Sequence, residues 1–193
     1  MYSIITLKST VRVEPKYFSK NLKEAIISIL REKYERKVDK DFGIVLCIWN
    51  PRDISEGKVI PGDGASYHEM TFDMLTYKPE LNEIFEGEVT EIVEFGVFVR
   101  MGPIDGLAHL SQITNDFLSY DKKIPAFIGR ESKKIIKKGD DVLAKISTVS
   151  MKGSIPETKI GLTMRPEGLG KLDWIKEEAA PKKIKEEAAP KKK

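Results

Sequence analysis

The chain has 193 residues, with 33 Lys+Arg against 30 Asp+Glu, 40% hydrophobic residues, two histidines and one cysteine. That length suits one large domain or two small ones, and aromatics spread throughout argue against wholesale disorder. One cysteine excludes an intramolecular disulfide, two histidines leave no Cys/His zinc cluster, and no apolar run approaches the about 18 residues of a membrane span.

The N-terminus MYSIITLKST lacks a signal-peptide pattern, so a cytoplasmic location is expected. The net charge of +3 divides as +1 over residues 1–81, zero over 82–172 and +2 over 173–193. Most of the excess sits in the tail, and net charge alone says nothing about partners.

Residues 1–81 read as a β-α-β-β unit. Residues 2–13 are rich in Ile, Val and Thr and stop before Pro15, as a strand does. From about Lys20 to Lys37, Leu22, Ala25, Ile26, Ile29 and Leu30 recur at the period of an amphipathic helix. Ser19 and Asn21 are its candidate caps. The run IVLCIWN (44–50) predicts a strand buried on both faces, with Cys47 a buried, inert thiol. A glycine-rich loop, SEGKVIPGDGAS (55–66), then precedes a third strand, YHEMTFDMLTY (67–77). The loop reads as an ordinary hairpin connection or as a projecting docking finger.

Residues 82–172 change character. Five short strands are predicted at EGEVTEIVEFG, VFVRM, GLAHL, DVLAKISTVS and KIGLTM, which suits a small Greek-key barrel of the OB type. The long gap before the fourth strand includes IGRESKKIIKKG (128–139), read as a short helix ending at Gly139. Residues 122–138 hold seven basic side chains and one acid, Glu131, a patch able to track phosphates or simply a solvated face. Residues 173–193 form a charged tail in which IKEEAAPKK occurs twice; with Pro181 and Pro190 it reads as a solvated, disordered extension or a tethering arm.

Catalytic motifs fail on inspection. His68-Glu69 opens an HExxH pattern, but Phe72 stands where the second zinc ligand belongs. Gly170-Lys171 looks like a phosphate loop, yet Arg165 replaces the upstream glycine and Leu172 the Mg²⁺-binding hydroxyl. No catalytic residue, cofactor or metal is expected.

GEVTEIVEFGVFVRMGPIDGLAHLS (87–111), with Gly139-Asp140-Asp141-Val142 and Ile160-Gly161-Leu162-Thr163-Met164, closely resembles the S1 RNA-binding domain over residues 82–165. The resemblance implies that Phe95, Phe98 and His109 lie on the nucleic-acid face, where rings can stack on bases. Phe95 and Phe98 are three apart, so in a regular strand they face opposite sides. Gly96 relieves this as a bulge, or else one ring fills the core. Arg100, Lys133, Lys134, Lys137 and Lys145 complete the candidate RNA-binding set.

The β-α-β-β unit, PGDGASYHEMTFD, the S1 region and TMRPEGLGKLDWI together resemble the E′ family of archaeal RNA polymerase, the larger stalk subunits, related to the seventh subunit of eukaryotic RNA polymerase II. This implies an α+β chain: a truncated RNP-like tip domain, an S1-type OB barrel and a tail. It also implies a heterodimer with the F polypeptide of RNA polymerase (the smaller stalk subunit), docking on the polymerase core near the clamp, and binding of nascent single-stranded RNA. By position, the docking tip is the loop of Gly57, Gly62, Asp63 and Gly64, and residues 169–174 pack the C-terminus against the body. Two other S1 settings are an exosome-like RNA-decay accessory protein, which usually carries a KH domain or zinc ribbon after S1, and a translation initiation subunit, which places S1 first.

Overall fold

The computed structural model describes residues 1–121 and 125–179. The expectations for residues 180–193, and for Lys122 and Lys123 in the basic run, lie outside the described residues. The N-terminal unit comprises β1 (Tyr2–Val13), α1 (Leu22–Tyr34), β2 (Val38–Asp39), β3 (Gly43–Arg52), β4 (Lys58–Val59) and β5 (Ser66–Tyr77). Its antiparallel sheet runs β1-β5-β3-β2, with β4 paired to β5.

Helix α1 packs Ala25, Ile26 and Leu30 onto one face of that sheet, against Val11, Val13, Val45, Ile48, Met70, Phe72 and Met74. Asn21 is the cap: its side chain accepts the Lys23 amide at 3.0 Å. The helix ends at Tyr34 rather than near Lys37 because Glu35 is extended and Arg36 takes φ +61. Glu35 then accepts the Ile48 amide, and the Arg36 amide donates to Val45, turning the chain into the sheet.

Cys47 is not buried. The sheet has a helix on one face only, and a β-bulge between Val45 and Cys47 sets Cys47 beside Leu75 on the other, exposed face. Ile4 (70% exposed), half-buried Trp49 and Leu75 share that face through the pairing Ile4↔Leu75 and Trp49↔Asp73. At its centre Asp73 accepts from Thr6, Asn50 and Arg52, and those bonds hold its carboxyl below the usual carboxylate range.

The second unit contains β6 (Ile84–Val93), β7 (Gly96–Arg100), β8 (Asp105–His109), β9 (Leu118–Asp121), β10 (Ala126–Gly129), β11 (Ile135–Lys137), β12 (Asp141–Ser150), β13 (Lys159–Thr163), β14 (Gly170–Lys171) and α2 (Leu172–Ala179). Strands β13-β8-β7-β6-β12 close into a five-stranded barrel through β12–β13 pairing, and β14 is appended to β12. The β13–β8 pair is parallel and the others antiparallel, as a Greek-key OB barrel requires.

The insertion is a three-stranded sheet, β9-β10-β11, not a helix. Lys133 takes φ +55, which breaks a right-handed helix, and the β-branched pair Ile135-Ile136 favours a strand. Asp116 fixes the intervening turn by accepting the Ser132 amide (2.9 Å), the Ser132 hydroxyl (2.8 Å) and the Glu131 amide.

Trp174 is 8% exposed and packs into the barrel core, so the chain does fold back at residues 169–174. Helix α2 continues to Ala179 and so takes in the first residues of the span assigned to the tail. The two units also share packing. Ile44 and Tyr77 join the barrel core, and Lys37 forms a backbone bridge with Ser154. Burial pushes the Tyr77 phenol up to about 12.

Candidate nucleic-acid interface

The question of the two phenylalanines is answered by the β6–β7 hairpin. Val93 pairs with Gly96, so Glu94 and Phe95 form a two-residue turn, and Phe95 lies at its tip with 52% exposure. Gly96 is therefore not a bulge; the register shift lies earlier, between Val89 and Glu91. With Phe95 outside the strand, the three-residue spacing no longer sends the two rings to opposite faces. Phe98 sits half-buried on β7, opposite Leu107. Neither ring belongs to the core.

His109 ends β8 opposite Gly96, and its Nδ1 lies 3.0 Å from the Ser111 hydroxyl. The Leu110 amide donates to the Phe95 carbonyl at 2.9 Å, tying the hairpin tip to the histidine strand. Thr90 donates to the Phe98 carbonyl at 3.3 Å, which pins β7 from the other side. A groove of about 630 Å³ results. Phe95, Phe98, Leu107 and His109 line one side, and Thr148, Ser150, Lys159 and Gly161 the other. Aromatic rings for stacking, hydroxyls and a cation can hold a short single strand with little regard to its sequence.

None of the remaining candidates lines this groove, although Arg100 pairs with Asp105, which does. Arg100 lies two residues beyond Phe98, 3.9 Å from the Asp105 carboxylate, outside the groove lining. Lys145 sits half-buried on β12, paired with Ile84 and Thr163. Lys133 and Lys134 lie in the turn between β10 and β11 and Lys137 ends β11; the Lys134 ammonium rests 5.3 Å from the Trp174 ring centre. None of the three lines the aromatic groove; Lys134 lines a recess with Asn115, Arg165 and Trp174.

Lys159, absent from the candidate set, is the cation that does line the groove. Its signal was positional: it opens the last strand directly after the turn that closes over the aromatic face. Lys159→Gln should reduce the slope of log affinity against log salt for single-stranded RNA by about 0.7, as loss of one phosphate contact does. A titration of binding against salt checks this, and an unchanged slope removes Lys159 from the interface.

In the glycine-rich loop the side chain of Asp63 turns inward. Its carboxylate accepts from Arg12 on both oxygens at 2.8 Å, from the Tyr67 hydroxyl at 2.7 Å and from the Ala65 amide at 3.1 Å. What the loop offers outward is Val59 (69% exposed), Ile60 and Gly62, the last at φ +90 in open space. Gly57 has a separate role, since a Cβ there would lie 2.8 Å from the His68 ring. Hydrogen bonds from Arg12 and Tyr67 hold the Asp63 carboxyl well below the usual carboxylate range. A depressed folded-state value means the clasp contributes stability above the ordinary Asp value of about 3.9 and loses it as pH falls through the lowered one. Carbon-13 titration should place the Asp63 midpoint below that of a free aspartate, and Arg12→Gln should move it back up.

Comparison with known proteins agrees with this architecture. Residues 8–64 match the family described as "SHS2 domain found in N terminus of Rpb7p/Rpc25p/MJ0397", and residues 78–156 match "S1 RNA binding domain". The chain is 48% identical over 181 residues to DNA-directed RNA polymerase subunit Rpo7 of Sulfolobus acidocaldarius, covering 93% of this chain and 98% of that one. It is 47% identical to Rpo7 of Saccharolobus solfataricus over 91% of this chain and 97% of that one. It is also 25% identical to DNA-directed RNA polymerase II subunit rpb7 of Schizosaccharomyces pombe, over 86% of this chain and 96% of the relative. With an SHS2 unit followed by an S1 barrel, and with this identity across nearly its whole length, the chain belongs to the Rpo7 family of DNA-directed RNA polymerase subunits.

Proposed function

We propose that the chain is the larger, non-catalytic stalk subunit of a DNA-directed RNA polymerase, and that its S1 groove holds nascent single-stranded RNA. The observation that carries this is the convergence of Phe95, Phe98 and His109 on one open groove, where a hairpin turn rather than a regular strand brings the rings together. Stacking of this kind contributes about 1–3 kcal/mol per base and tolerates any sequence, which suits a site every transcript must cross.

Pairing with the F polypeptide of the polymerase is assigned to the helix-free face of the N-terminal sheet. Ile4, Cys47, Trp49 and Leu75 leave apolar surface uncovered there, and β1 pairs only with β5 among the described residues. Docking on the polymerase core near the clamp, and support of the open complex, are assigned to the loop of Gly57, Gly62, Asp63 and Gly64. The Arg12–Asp63–Tyr67 clasp makes that loop a stiff wedge, with Val59 and Ile60 outward. The chain would supply none of the polymerase's nucleotidyl-transfer chemistry.

Affinity purification of the tagged full chain from its native source tests the assembly. Recovery of the catalytic polymerase subunits together with a small partner subunit is expected. Recovery of an RNA-decay or ribosomal complex in their place would overturn the reading.

A further inference from the structure

We infer that a second base-stacking subsite, built on Phe117 and Arg165, lies beyond His109, and that single-stranded RNA leaving the Phe95/Phe98 groove continues onto it. The inference rests on the reading of that groove as the RNA site.

Phe117 is 77% exposed, the most exposed large apolar side chain among the described residues. Its position is nevertheless rigidly built. The Phe117 carbonyl accepts the Arg130 amide at 2.9 Å, and the preceding Asp116 carboxylate is held by three bonds from the turn at Glu131 and Ser132. A ring held by its backbone and left uncovered is a platform rather than a core residue misplaced at the surface.

The ring borders a separate groove of about 320 Å³, lined also by His109, Ser111, Asn115 and Arg165. His109 lines both this groove and the aromatic one, so the two share a wall at the histidine. Arg165 is anchored by its Nε, which donates to the Asn115 side-chain oxygen at 2.8 Å. The rest of a guanidinium fork then remains for a phosphate or a base edge. Leu110 and Leu118 line the groove with the ring, and Thr114, Asn115 and Arg165 set hydrogen-bonding groups beside that apolar surface, as a site that stacks a base and holds its backbone requires. An isolated aromatic beside an arginine, continuous with an aromatic groove, is the pattern that tracks a single strand. Of the insertion's lysines, Lys134 lines an adjoining recess that shares Asn115 and Arg165 with this groove.

The test uses the full chain and fluorescence anisotropy with single-stranded RNA of about 4 and about 12 nucleotides, the range an OB fold engages. Phe117→Ala should weaken the longer RNA by about tenfold and leave the shorter one unchanged, whereas Phe98→Ala should weaken both. Phe117→Tyr keeps a stacking face and should restore the longer-RNA affinity. Arg165→Gln should weaken the longer RNA and flatten its salt dependence. If Phe117→Ala affects neither length while Phe98→Ala weakens both, the second subsite is wrong and the first groove stands. If Phe117→Ala weakens the short RNA as much as the long one, the rings form one site and the continuation is wrong. If Phe98→Ala changes nothing, the groove reading fails, and the subsite with it.

Discussion

Phe98→Ala is expected to weaken single-stranded RNA binding by about 5- to 150-fold, the equivalent of losing one stacked base. The protein should still unfold in a single cooperative transition, within a few degrees of the parent. Phe98 is only half-buried, stands on the outer face of β7 and borders the groove shared with Phe95 and His109. The inward positions beside it, Val97 and Val99, are fully buried and form the barrel core instead. Truncating Phe98 therefore removes a stacking face without opening a cavity. Loss of the thermal transition would make Phe98 a core residue and would remove it from the site. Phe98→Tyr should retain most of the affinity, because the π-face survives.

Gly96→Val should damage both the fold and the site. Gly96 opens β7 against His109, and a Cβ built there meets the Ala108 carbonyl and lies 3.0 Å from the His109 Cα. The obstacle is backbone on a paired strand, so it cannot swing aside as a flexible side chain would. Accommodating valine requires β7 and β8 to part, at a cost of about 3–5 kcal/mol. For a chain of this size each kcal/mol lowers Tm by about 2–4 °C, so a fall of about 6–20 °C is expected. RNA affinity should fall as well, since Phe95 and His109 hang on either side of that pair. Gly153→Ala is the matching control: nothing lies within 4 Å of its would-be Cβ, and its Tm should stay close to the parent. A Gly96→Val protein with an unchanged Tm would mean that the hairpin is not built as described.

How much of this was legible in the sequence depended on whether a feature is local. The first strand ends just before Pro15, and the five barrel strands, four of them announced by β-branched residues, all appear in place. The S1 motif likewise carried Phe95, Phe98 and His109 to one groove. The failures share a cause, which is dependence on partners far along the chain. Residues 128–139 look like a charged helix until Asp116 reaches across to fix the turn at Ser132. Cys47 looks buried inside an apolar run, because the run does not disclose that only one face of its sheet carries a helix. The place of Asp63 in its loop is legible, but the residue that clasps it, Arg12, is not, because it lies on the first strand. Charge is visible in sequence and position in a barrel is not: Lys133, Lys134 and Lys137 lie outside the lining of the aromatic groove. The groove instead takes its cation from Lys159.

Net charge misdirects for a related reason. The unit that carries the RNA-binding motif is neutral overall, and its chemistry depends on where two rings and a histidine are placed.

The most direct test is ultraviolet crosslinking of nascent RNA in elongation complexes assembled with the full chain, with crosslinked residues located by mass spectrometry. Crosslinks should concentrate on Phe95, Phe98 and His109, and Phe98→Ala should sharply reduce them. Crosslinks confined to residues 130–138 or to the loop of residues 57–64, with none on the β7–β8 face, would contradict the assignment of that groove to RNA.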